Sequence, residues 1–266
     1  MAERENLLVV VDPTAENFPI IDRVVSIAKY FPDNPPKVTI MTAVDYSHVD
    51  PAATNEAVYR DDEWIKSLAA PLLELDIDLS LRISWSQDWA DSIMYSAEKV
   101  GATSILLPHP GQEGRQKLSD EFWYLVRNAQ LPIALFQSTR TPEKKPIVVA
   151  MDVRDEKISD LNKRILDFGK LAGSEYGSSV HLVHVYQDSM QYPDRARIVE
   201  KTGLPNENIH FKMGDIGEKL AEVVGEIGAG MVVIGATRRS GIRAALRGRK
   251  INNIMQTIDH DLVVIV

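Results

Sequence analysis

Residues 232 to 255 read VVIGATRRSGIRAALRGRKINNIM, a valine- and isoleucine-rich run that enters a glycine-punctuated loop and then a helical pattern. Gly235, Gly241 and Gly248 suit a backbone that wraps closely around a phosphate, because a residue without Cβ reaches positive φ and lets main-chain amides approach an anion. Six cations, Arg238, Arg239, Arg243, Arg247, Arg249 and Lys250, crowd the same stretch. Arg249 and Lys250 stand where the last helix should begin, a place where each cation costs about 0.3–1 kcal/mol against the helix dipole. A bound anion would relieve that cost and use the free amides. Three readings stay open: a solvated basic face, guanidinium groups that grip phosphate in place of amides, or an arginine that fills the pocket and pairs with Asp152 or a neighbour.

Other residues with chemical potential are weaker. His181 and His184 are three apart on a strand pattern, so they point to opposite faces and cannot share a metal from that strand. Asp76 and Asp78 share a face at the polar start of a strand, where two carboxylates usually meet water. Asp88 reads as a helix N-cap with Asp91 in the first turn, and Ser119 before Asp120 reads the same way. Trp85 and Trp89 flank that first helix start and read as core. No G-x-S-x-G, H-E-x-x-H or lysine-bearing P-loop occurs, so nothing assembles a nucleophile with its base.

The elements that must position the glycine loop occur twice. LLVVVD (7–12) and PIVVAMD (146–152) are short apolar runs ending on aspartate, the pattern of a parallel strand buried on both faces. Each leads to a helical segment, then to a second strand, KVTIMTAVD or SVHLVHVYQD. Further on, Asp88 matches Asp215, Gly101 matches Gly228 and Leu107 matches Ile234 at a common offset of 127, whereas Asp12 and Asp152 are 140 apart. The length change therefore falls between the second and third strands, where the first half carries the longer insert NEAVYRDDEWIKSLAAPLLEL. The polar, proline-bearing STRTPEKKP between the halves reads as a linker. The expected architecture is α/β, two tandem doubly wound parallel-sheet domains at 1–138 and 146–266.

In such sheets, ligands bind beyond the carboxyl ends of the strands, where strand order reverses. The glycine loop follows the fourth strand of the second half and so belongs there. The pattern G-x2-G-x9-G-[ST] after a VVIG strand, with aspartate ending the first strand and HV in the second, resembles the universal stress protein family. Gly235, Arg238, Gly248 and Arg249 occupy the four motif positions, so the spacing is kept while two residue types differ. SGIRAALRG and TGLPNENIHF are most similar to the tandem E-type members. The resemblance implies an adenine nucleotide such as ATP in the second half, held by Asp152, Val185, Gly235 and Gly248, with Arg238, Arg249 and Lys250 on the phosphate side. Mg²⁺ follows only if ATP is the form bound. In the first half Pro108 stands at the first glycine's place, which removes the loop, although Asp12 and Val44 remain. The resemblance also implies that PIALF and LVVIV take part in pairing, so that the two domains pack as a pseudo-dimer, with a homodimer of chains open. The implied role is a stress-response regulator that senses a ligand or docks a partner without turnover; a slow Mg²⁺-dependent ATP hydrolase using Asp152 and a scaffold with both sites closed are the alternatives.

Composition sets limits. The chain has 266 residues, 44% of them hydrophobic, enough for two cores. Its formal charge of -8 disfavours nucleic acid and anionic membrane as partners, leaving 238–250 as a local basic island. With no cysteine there is neither disulfide nor thiol chemistry, and the expected location is the cytoplasm. No apolar run approaches the ~20 residues of a membrane span.

Overall fold

A computed structural model describes residues 4–11, 18–45, 62–86, 88–108, 120–136, 144–236, 253–255 and 257–266. The chain separates into two compact units, the first ending at Thr139 and the second starting at Arg140 apart from a short piece before it. The first unit contains β1 (Asn6–Val11), α1 (Pro19–Tyr30), β2 (Lys37–Asp45), α2 (Asp62–Leu73), β3 (Leu79–Ser86), α3 (Trp89–Val100), β4 (Ser104–Pro108), α4 (Asp120–Asn128) and β5 (Ile133–Phe136). Its strands run in the order β3-β2-β1-β4-β5, all neighbours parallel.

The second unit contains β6 (Ile147–Ala150), α5 (Ser159–Tyr176), β7 (Val180–Tyr186), α6 (Arg195–Thr202), β8 (Ile209–Met213), α7 (Ile216–Ile227), β9 (Met231–Gly235) and β10 (Asp261–Ile265). Residues 253–255 are also helical. The strand order is β8-β7-β6-β9-β10, again parallel throughout. In both units the chain steps outward from the first strand through the second to the third, then returns to the other side of the first. The crevice between β6 and β9 is therefore the switch point of the second sheet.

The apolar runs behave as strands buried on both faces. Leu8, Val9, Val148, Val149, Val232 and Val233 are all fully buried. Equivalent helices end alike: Gly101 after α3 and Gly228 after α7 both adopt φ near 64° and close the helix in the left-handed conformation. Their starts differ. Asp215 accepts from the amides of Gly217 and Glu218 at 2.9 and 3.1 Å, whereas Asp88 occupies the equivalent position without a side-chain cap bond. The amide of Asp88 instead donates to Ser86 Oγ at 3.0 Å, which uses the turn before the helix rather than its first turn. Asp76 departs from expectation too: it lies in the turn after α2 with φ of 53°, outside β3, while Asp78 meets Arg4 at 3.8 Å and Lys37 at 3.6 Å. The two carboxylates do not form a pair on one strand face.

Helix α7 is tied to β8 by charge. Lys212 Nζ lies 2.7 Å from Glu222 Oε1 and 3.3 Å from Glu226, and Lys219 also donates to Glu222. Hydrogen bonds from the two ammonium groups, Lys212 first, hold the Glu222 carboxyl down at about 2 from 4.5. Because the folded value is the lower one, the contribution of this contact is complete above pH 4.5 and is lost as pH falls toward about 2. A carbon-detected NMR titration is expected to place the Glu222 midpoint near the lower value, and Lys212→Met to move it upward. A midpoint in the ordinary carboxylate range would show that the contact does not persist in solution.

Candidate functional site

The strand register brings three predicted residues to within one position of a common level. Ala150 lies beside Val183 and Val149 beside Val233. Two residues further along each strand direction stand Asp152, Val185 and Gly235, at the carboxyl ends of β6, β7 and β9. All three line one cavity of about 120 Å³, with an apolar wall that includes Leu161 and Ile165 of α5, Ile216 and Leu220 of α7, and Ile254. Toward solvent it adjoins a more polar recess of about 360 Å³, lined by Asp152, Arg154, Asp155, Tyr186, Gln187 and Gln191 among others. Asp152, His184, Val185 and Ile216 belong to both.

Each contributor has a local cause. Asp152 leaves β6 in a turn, where its carboxylate receives the Arg154 amide at 3.3 Å and keeps 47% of its side chain exposed at the rim. Gly235 ends β9 directly over α5: a Cβ there would stand 2.7 Å from Ile165 Cδ1 and 2.8 Å from Leu161 Cδ2. Glycine is thus required by the close approach of the helix, and the wall of the cavity depends on it.

Two residues that sequence reasoning did not assign to the site also stand on its wall. His184 is buried, and its Nδ1 lies 3.1 Å from the carbonyl of Met151, so that nitrogen carries the proton. The same Nδ1 is 3.9 Å from the Asp152 carboxylate. Asn162 of α5 donates through Nδ2 to the Asp152 carbonyl at 2.8 Å. Together they hold both main-chain groups at the end of β6. The HV pair in the second strand was a signal for His184; Asn162, in SDLNKR, gave none, since a polar residue in a helix is ordinarily on its wet side.

A third set fixes the element that borders the cavity at Ile254. Asn253 Nδ2 donates to both carboxylate oxygens of Asp215 at 3.1 and 3.0 Å, so one aspartate serves the start of α7 and residues 253–255 together. Arg238, Gly248, Arg249 and Lys250 lie outside the described residues, as do Asp12 and Ser119; the side chains of Val44 and Trp85 are likewise undescribed. Pro108 is the exposed last residue of β4, paired with Phe136.

His181 and His184 do take opposite faces. His181 meets His210 of the neighbouring strand instead, with Nδ1 to Nε2 at 3.1 Å and nearly parallel rings. Burial lowers both imidazoles below 6.5, and His210 is lowered further by His181, Lys212 and Arg195, with Glu226 opposing. Above that value both states are neutral and nothing is gained; as pH falls through it, the unfolded chain takes protons that the folded pair resists, so stability drops. The urea midpoint is expected to fall between about pH 7 and 5.5, the region where histidine titrates. Replacing both residues by glutamine should flatten that slope, and an unchanged slope would rule the pair out as its cause. Among the described residues no group of three or more histidine, aspartate or glutamate side chains could hold a metal ion.

The universal stress protein family model matches residues 194–266. Over its whole length the chain is similar to Universal stress protein E of Salmonella typhi and of Escherichia coli K12, in each case 24% identical and covering 95% of the relative. A Haemophilus influenzae homolog of the same protein is 23% identical over 71% of this chain and 70% of its own. A solved structure described as a universal stress protein of Pseudomonas aeruginosa UCBPP-PA14 superposes with a TM-score of 0.78 at 19% identity, covering 98% of this chain and 93% of that one. A universal stress protein from Archaeoglobus fulgidus gives 0.74 at 14% identity, covering 98% and 95%. These structures share the doubly wound α/β fold. Motif spacing in the second half, a family match over residues 194–266 and relatives aligned from end to end agree in making the chain similar to tandem members of the universal stress protein family.

Proposed function

We propose that this protein is a ligand-responsive regulator whose second half binds an adenine nucleotide at the switch point of its sheet. The observation that carries the reading is the convergence of Asp152, Val185 and Gly235 on one cavity at the ends of β6, β7 and β9. The cavity suits the group on physical grounds. Its inner wall is apolar, as a base requires, and the outer recess of about 360 Å³ falls within the range of small-molecule sites. The half-exposed carboxylate of Asp152 stands at the boundary between them, where a ribose hydroxyl or base amine could donate to it. Phosphates would extend toward the segment that follows β9, whose arginines supply charge where the family pattern has glycine and a hydroxyl residue. Mg²⁺ accompanies ATP if that is the form held.

Native mass spectrometry of the freshly purified protein, followed by calorimetric titration with ATP, ADP and AMP with and without Mg²⁺, tests the proposal. Micromolar binding that is weakened by Arg249→Glu is expected. Absence of binding at millimolar nucleotide would overturn it and leave a protein whose partners must be sought elsewhere.

A further inference from the structure

The inner cavity is unusual in the kind of polar atom it offers. Asn162 is 9% exposed, and its Nδ2 is already committed to the Asp152 carbonyl. That bond fixes the carboxamide orientation, because only the NH₂ side can donate to a carbonyl. Oδ1 is thereby left as a buried acceptor with no hydrogen-bond partner. A buried acceptor without a donor is disfavoured, and native proteins keep few of them. Here it occurs on the wall of the cavity that Asp152 and Gly235 share. The other polar groups assigned there point the same way: the Asp152 carboxylate only accepts, and His184 Nδ1–H is engaged with the Met151 carbonyl. A site built from acceptors selects hydrogen-bond donors and repels phosphate.

We infer that Asn162 is a specificity-determining residue, whose Oδ1 accepts an N–H or O–H hydrogen from the base or sugar of the ligand in the inner cavity. The inference rests on the nucleotide reading above and deepens it. It divides the ligand into a donor-bearing end, read by Asn162 and Asp152, and an anionic end directed away from them. A purine amine and a ribose hydroxyl share the required chemistry, and the choice of probe separates them. Inosine triphosphate replaces the amine by an acceptor oxygen, while the 2′-deoxy and 3′-deoxy forms of ATP each lack one hydroxyl.

The test is a set of affinities for ATP and these three analogues on the full chain, measured on the wild type and on Asn162→Leu. One analogue is expected to bind the wild type about tenfold more weakly than ATP, the size of a single well-made hydrogen bond. In Asn162→Leu that gap should close to within about twofold, a coupling that separates the lost acceptor from any general effect. Such a readout is needed because the substitution also frees the Asp152 carbonyl and so weakens every nucleotide alike. If Asn162→Leu does not fold, Asn162→Ala runs the same comparison. Equal binding of all four nucleotides by the wild type, or a gap that survives in the variant, overturns the inference while the nucleotide reading stands. Failure of ATP itself to bind the wild type overturns both.

Discussion

Gly235→Ala is expected to lower the free energy of unfolding by about 1–3 kcal/mol, the usual range for an extra methyl forced into a packed interior. The new Cβ would come within 2.7 Å of Ile165 Cδ1, 2.8 Å of Leu161 Cδ2 and 2.9 Å of Leu161 Cγ. Both neighbours are buried, Ile165 at 2% exposure, so neither can swing into solvent. The backbone itself does not resist, since Gly235 does not adopt a positive φ. Cost therefore comes from packing alone, and that makes it correctable. Ile165→Val removes the very atom that is closest to the new methyl. On its own this trimming should destabilise by about 0.5–1.5 kcal/mol, but combined with Gly235→Ala it should cost less or stabilise. Urea unfolding of the two single variants and the double variant measures the coupling; strict additivity would show that β9 and α5 separate to admit the methyl. The same substitution narrows the cavity, so nucleotide affinity should fall with it.

The repeat that frames this site is legible in sequence because both strand pattern and helix termini recur. Gly101 and Gly228, matched by their spacing, end equivalent helices in the same left-handed conformation. Asp88 and Asp215 occupy equivalent positions as well, yet only Asp215 caps its helix through the side chain. Its partner Asn253 lies 38 residues further on, and spacing within one helix could not announce it. The nearness of Asp152, Val185 and Gly235 is legible because each lies at or just past the carboxyl end of a strand, and a parallel sheet aligns those ends. Asn162 and the His181–His210 pair are not. Register between strands decides the second, since His210 sits diagonally across from His181 only because Leu182 aligns with Ile209. The rotation of α5 about its axis decides the first: polar composition in a helix predicts a wet face, and here one polar residue is turned inward to hold the end of β6.

That inward residue separates position from charge at the end of β6, and Asp152→Ala exploits the difference. Its main-chain carbonyl, held by Asn162, remains in place after the substitution. What disappears is a carboxylate that is about half exposed, accepts the Arg154 amide at 3.3 Å and lies 3.9 Å from His184 Nδ1. Removing a half-exposed group with contacts this long usually changes stability by about 0.5 kcal/mol. A hydrogen bond from ligand to a charged acceptor contributes more, about 1.5–3 kcal/mol, so nucleotide affinity should drop roughly 10- to 150-fold. Large loss of binding with an unchanged melting temperature is thus the expected signature. Asp152→Asn should recover part of the affinity, because the amide oxygen still accepts without the charge. Calorimetry and thermal unfolding on the same preparations check both halves. Equal affinity for wild type and Asp152→Ala would remove the carboxylate from the site, and loss of affinity together with a lowered melting temperature would mean that the turn after β6, rather than its charge, is what the ligand needs.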